Sequence, residues 1–69
     1  MRRTRVDSSL VASVGYDKKT ETLEIEFANR TVYQYLEVPE VEYRDFLNAK
    51  SIGAYFNHNI RDYGHVRIR

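Results

Sequence analysis

Over residues 10–16 the chain alternates. Leu10, Ala12, Val14 and Tyr16 fall on one side of an extended backbone, and Val11, Ser13 and Gly15 fall on the other. Successive strand side chains point to opposite faces, so this period of two predicts a half-buried strand. A polar turn, Asp17–Glu21, leads to Leu23, Ile25 and Phe27 interleaved with Thr22, Glu24 and Glu26, which predicts a second strand. Pairing Tyr16 with Leu23 and Val14 with Ile25 brings Ala12 opposite Phe27 and gathers both apolar sets on one face. The next turn, Ala28-Asn29-Arg30, admits two geometries. A two-residue loop pairs Phe27 with Val32 and sends Tyr33 and Tyr35 to the polar face beside Glu24 and Glu26. A type I turn closed by a bulge at Arg30 pairs Phe27 with Thr31 and carries both tyrosines to the apolar face. The second is preferred, because the first leaves two large rings in water. In either, Arg30 takes a left-handed backbone that Gly would adopt at no steric cost.

The period then changes. Pro39 suits a first helical turn, Glu40 and Glu42 complement its positive end, and Tyr43, Phe46 and Leu47 form one stripe that ends near Ala49. Ser51 can cap a second short helix in which Ile52, Tyr55, Phe56, Asn59 and Ile60 follow the i, i+3, i+4 rule. Gly53 and Ala54 leave one side of that helix slim enough for another backbone to approach. Gly64 breaks the chain, and Val66 and Ile68 alternate with Arg67 and Arg69 in a short final strand. The fold expected is α+β: a three-stranded antiparallel β-meander packed on two short helices, with a short C-terminal strand.

Length and composition narrow the classes. Sixty-nine residues with no Cys and one Pro leave room for one domain, expected over residues 6–69 after a basic, disordered tail at residues 1–5. Burial in a core this small roughly balances the entropy of ordering the chain, so either the packing is good or a partner, such as a second copy, covers part of the surface. Without thiols there is no disulfide framework and no zinc–thiolate site. No apolar run approaches a membrane span, and Val6-Asp7-Ser8-Ser9 follows the N-terminal arginines where a signal peptide would have its apolar core, so a cytoplasmic location is expected. The net charge of +1 conceals an asymmetry: Arg2, Arg3 and Arg5 at one end and Arg61, Arg67 and Arg69 at the other flank an acidic body. Basic ends favour a phosphate-bearing partner, although they also simply solubilise a chain end.

The residues as a set resemble a known family. Ser8-Ser9 before the first strand, Val14-Gly15-Tyr16-Asp17, Leu23-Glu24-Ile25-Glu26-Phe27, Tyr33-Gln34-Tyr35, Val38-Pro39-Glu40 and Ser51-Ile52-Gly53-Ala54-Tyr55-Phe56-Asn57 with Ile60-Arg61 together resemble the KTSC domain. That module occurs at the C-terminus of some lysyl-tRNA synthetases and as a stand-alone bacterial protein. The resemblance implies the fold and, through the synthetase, an association with RNA rather than a mechanism. Two positions depart from the family pattern: Arg30 stands where Gly is frequent, and Ile52 where a basic residue is, with Lys50 nearby.

Candidate chemistry follows from residue types. Tyr33, Tyr35 and Tyr55 could stack unpaired bases while Lys50, Arg61, Arg67 and Arg69 hold phosphates and His58 makes a further contact; each stacked base is worth about 1–3 kcal/mol. Set against this, tyrosines also serve small cores with the ring buried and the hydroxyl wet, and Glu24 and Glu26 repel phosphate. Ser51 and Gly53 at a helix start could hold an anion, although ordinary capping explains them as well. No metal is expected, because His58 and His65 lack helical ligand spacing. No catalytic residue or cofactor is expected either: the serines lack a nucleophile elbow, and the small domain has little room to bury a substrate. The expected function is therefore an accessory RNA-binding module. The competing reading is a protein-interaction or homodimerisation module with no nucleic acid, docking through Val11, Val32 and Leu36 on the face away from the main apolar set.

Overall fold

A computed structural model describes residues 1–69. Five strands form one antiparallel sheet in chain order: β1 (Thr4–Arg5), β2 (Val11–Asp17), β3 (Thr22–Phe27), β4 (Val32–Tyr35) and β5 (His65–Arg67). Two helices, α1 (Glu40–Leu47) and α2 (Ile52–Tyr55), are inserted between β4 and β5. They cover one face of the sheet: Phe46, Ile52, Phe56 and Ile60 pack against Val11, Val14, Leu23, Ile25, Phe27, Tyr35 and Val38. The α+β class and the meander are as read from the sequence, with one strand more than expected. β1 pairs Thr4 with Val14 and Arg5 with Ser13, so within the segment expected as a tail Thr4 and Arg5 form the edge of the sheet.

The β3–β4 turn takes the bulged geometry. Arg30 N–H donates to the Phe27 carbonyl at 2.9 Å, Phe27 N–H donates to the Thr31 carbonyl at 2.9 Å, and Arg30 has φ 75°. Tyr33 thereby lies opposite Ile25 and Tyr35 opposite Leu23, on the helix-covered face. Asn29 closes the turn by accepting from Thr31 N–H at 3.1 Å.

The first hairpin corrects the expected pairing. Tyr16 meets Leu23 and Val14 meets Ile25, but a bulge between Val11 and Ser13 sets Val11, not Ala12, opposite Phe27. The extra residue exchanges which side chain faces inward, and the larger one wins: Val11 is wholly buried. Val32 is also buried, at 2% exposure, beneath the chain end whose Ile68 and Arg69 N–H groups both donate to its carbonyl. Of the outward patch expected from Val11, Val32 and Leu36, only Leu36 is exposed, so that docking surface does not exist as drawn.

The helices follow their stripes with one irregularity. Pro39 precedes α1, whose Phe46 is fully buried. The hydroxyl of Ser51 accepts from Ala54 N–H at 3.1 Å, the expected cap of α2. After Tyr55 the helix widens into a π turn over Phe56–Ile60, where Arg61 N–H donates to the Phe56 carbonyl five residues back. The added residue keeps both Phe56 and Ile60 in the core and turns Asn59, expected on the apolar stripe, out to solvent.

On the sheet face away from the helices the polar side chains are bonded to one another. The Arg3 guanidinium crosses Gly15 to reach Glu24 at 2.5 Å and Ser13 Oγ at 3.1 Å. Gln34 also donates to Glu24, and Ser13 Oγ donates to Glu26 at 2.8 Å. Burial would raise the Glu24 carboxyl, but these donors outweigh it and hold it below the ordinary carboxylate value.

Candidate functional site

A groove of about 500 Å³ opens on the helix side of the sheet, between the β3–β4 turn and the π turn that follows α2. Each wall follows from a feature already described. Strand alternation and the bulged turn bring Phe27, Tyr33 and Tyr35 to this face, the π turn swings Phe56 onto them, and β5 sets His65 opposite Tyr35. The rings form a connected cluster: Phe27–Phe56 at 5.1 Å, Tyr35–Phe56 at 5.5 Å and Phe27–Tyr33 at 5.9 Å, all edge to face, with His65 tilted over Tyr35 at 5.0 Å. Ser9 and Leu10 from the loop before β2, Ala28, Asn29 and Thr31 from the turn, and Arg61 complete the lining.

The hydroxyls of Tyr16 and Tyr63 are held within the protein, by the Val38 carbonyl at 2.6 Å and by Glu42 at 3.1 Å, and Tyr55 donates to Glu42 as well. Those of Tyr33 and Tyr35 are not bonded within the protein, and neither is fully buried; both residues line the groove. Burial pushes Tyr35 up to about 12, so it is a neutral donor at any physiological pH. The Nδ1 of His65 lies 2.8 Å from the Tyr63 carbonyl. A carbonyl only accepts, so Nδ1 carries the proton and Nε2 is left for a ligand. Arg61 is exposed, with only its sequence neighbour Asp62 at 4.0 Å. Arg61 and His65 are the ionisable lining residues besides the tyrosines, and no carboxylate lines the groove. Its walls therefore offer aromatic faces, hydrogen-bonding groups and one cation, Arg61.

The sequence-derived candidates divide. Tyr33, Tyr35 and Arg61 come together in the groove, and Arg67, opposite Tyr33 in β5, stands on the same sheet face. Tyr35 is only 4% exposed, so it is the groove's floor rather than an open platform; Tyr33 is the half-buried ring at its mouth. Tyr55 is not available for stacking, because it packs on Phe46 at 5.9 Å and its hydroxyl ties α2 to Glu42 of α1. Arg69 lies on the opposite sheet face, 3.8 Å from Glu26. Lys50 and His58 are exposed and outside the groove. At the expected anion site the Ser51 hydroxyl caps α2 by accepting from Ala54 N–H, and Gly53 sits against Leu10, where a Cβ would stand 3.4 Å from that of Leu10. Ile52, where a basic residue was noted for the family, is core. Sequence reasoning missed His65, Phe27 and Asn29; pairing the last strand with β4 would have placed His65 beside Tyr35.

The family model for the KTSC domain matches residues 7–63. The chain belongs to the KTSC domain family. A crystal structure of a KTSC domain protein from Yersinia pestis superposes with a TM-score of 0.95 at 38% identity, covering 99% of this chain and 97% of that one. An uncharacterized protein of Stutzerimonas stutzeri is 39% identical over 57 residues, 83% of this chain and 80% of the relative. A lysine–tRNA ligase of Nostoc punctiforme is 40% identical over 55 residues, which is 80% of this chain but 10% of the ligase. The KTSC module thus occurs both nearly alone and as a small part of a much longer protein. No helix of this KTSC domain is long and apolar enough to cross a membrane.

Proposed function

We propose that this KTSC domain is an accessory RNA-binding module that takes one or two unpaired nucleotides into the aromatic groove. A base stacks on Tyr33 at the mouth, the Tyr35 hydroxyl and His65 Nε2 meet its polar edge, and Arg61 and Arg67 hold the adjoining phosphates. The observation that carries this reading is the lining itself: aromatic faces with Arg61 and His65 and no carboxylate, with Arg67 beside it on the same sheet face and Glu24 and Glu26 on the far side of the sheet. The ligase relative supports it by carrying a similar segment in a protein named for acting on tRNA. A stack worth about 1–3 kcal/mol and two phosphate contacts give weak, sequence-tolerant binding that weakens with salt. Fluorescence anisotropy of a labelled single-stranded RNA at low and high salt tests it. Tyr33→Ala is expected to weaken binding by roughly 5- to 160-fold, equivalent to that stacking energy. Binding that is indifferent to salt, to Tyr33→Ala and to Arg61→Gln would remove the reading.

A second reading rests on a different surface. Val66 and Ile68 on the sheet edge are 47% and 53% exposed, next to a strand with no further neighbour. An apolar edge of this kind suits self-association. Sedimentation at rising concentration, with Val66→Lys as control, separates this reading from a monomeric RNA binder.

A further inference from the structure

A second hollow, of about 300 Å³, lies where the Ala12 bulge spreads β2 from β3, and Arg5 and Arg30 line it from opposite sides. Phe27 and Ala28 border both this hollow and the aromatic groove, so the two open on either side of the same β3–β4 shoulder. Arg5 and Arg30 are exposed, and neither pairs with a carboxylate. One carboxylate, Glu26, lines the hollow, but it accepts from Ser13 Oγ at 2.8 Å and has Arg69 at 3.8 Å. The local balance is positive, with two guanidinium groups free to form paired hydrogen bonds to a phosphate. Holding Arg30 in the left-handed region at φ 75°, where Gly is the unstrained residue, places a cation on this rim at a cost in backbone energy.

We infer that the Arg5–Arg30 hollow is a phosphate subsite, which takes the backbone of an RNA strand as it leaves the aromatic groove over the Phe27–Ala28 shoulder. This rests on the groove reading and extends it. The groove holds the base, the hollow holds a phosphate one or two nucleotides along, and affinity therefore depends on strand length.

The test compares wild type with the doubly substituted R5Q/R30Q protein. Both changes are on the surface and keep the side chains long and polar. Inorganic pyrophosphate, followed by amide NMR shifts, probes the hollow alone. Shifts centred on Arg5, Ala12, Ala28 and Arg30, lost in the double variant, are expected. A single-stranded octanucleotide should bind the variant roughly tenfold more weakly, with the slope of log K against log salt shallower by about 1.4 for two lost contacts. A dinucleotide should bind both proteins alike. Pyrophosphate shifts centred elsewhere, or octanucleotide binding unchanged by the double substitution, would overturn the subsite and leave the groove reading standing. If the dinucleotide is insensitive to Tyr33→Ala, the groove reading fails and the inferred strand path with it.

Discussion

Gly15→Ala tests how the N-terminal segment is held to the sheet. A Cβ built on Gly15 lies 2.4 Å from the Arg2 carbonyl oxygen and 3.2 Å from Arg3 Cγ. The first is a backbone atom, and ordinary contact begins about 1 Å further out, so β1 must move away rather than merely re-orient a side chain. Moving it strips Arg3 from Glu24, a carboxylate only 6% exposed that retains Gln34 as its other donor. Separating a fully buried pair costs about 3–5 kcal/mol. The Arg3 side chain is 24% exposed, and water can follow it out, so about 1–3 kcal/mol is expected here. In a domain whose whole stability is on the order of 3–10 kcal/mol, that is a large shift in a urea melt. Arg3→Gln breaks the same contact from the other side, so the two substitutions together should cost little more than the larger one alone. Glu24 supplies an independent readout. Its folded value is depressed below the unfolded one, so its contribution is whole above the unfolded value of about 4.5 and is lost as pH falls through the folded value. In Gly15→Ala the carboxyl should titrate higher and the acid-side loss should begin at higher pH. Wild-type stability with an unmoved Glu24 titration would refute this placement of β1.

Four further outcomes are expected. Phe46→Ala, which empties a site with no exposure, should cost about 3–5 kcal/mol and lower the thermal midpoint read by circular dichroism substantially. Arg30→Gly should stabilise the fold by about 0.5–1 kcal/mol, because glycine relieves the positive φ, while weakening octanucleotide binding; calorimetry and anisotropy on one sample read both. Glu42→Leu removes the acceptor shared by Tyr55 and Tyr63 and should cost about 1–3 kcal/mol in urea melts. Burial raises Tyr16, Tyr35, Tyr43, Tyr55 and Tyr63 above their ordinary value of 10.0. Groups raised on folding contribute stability that is complete below the unfolded value and lost as pH rises. Alkaline unfolding should therefore set in above about pH 10 and proceed towards pH 12, with tyrosinate absorbance rising alongside the loss of circular dichroism.

Much of the fold was legible because its elements carry clean periods. Leu23-x-Ile25-x-Phe27 determined both the face of β3 and its pairing with Val14 and Tyr16, and the cost of exposing Tyr33 and Tyr35 chose the turn. What escaped was decided by single-residue insertions and by partners distant in sequence. The bulge at Ala12 and the π turn at Phe56–Ile60 each add one residue to a regular period, so alternation misassigned Val11 and helical spacing misassigned Asn59. β1 was invisible because two residues have no period, and its reason to pair, the open space over Gly15, exists only once β2 and β3 are formed. In the candidate site, Tyr33, Tyr35 and Arg61 were recognisable by residue type. His65 needed the β4–β5 pairing, and the loss of Tyr55 as a stacking residue needed its contact with Glu42 across the two helices.

The claim on which the functional reading turns is that ligand contacts this domain at the groove. Amide and aromatic NMR shifts during titration with a single-stranded octanucleotide at low salt measure that directly. Shifts gathered on Asn29, Tyr33, Phe56, Arg61 and His65, shrinking as salt is added, are expected. Saturating shifts gathered instead on α1, or none at all at millimolar RNA, would contradict it.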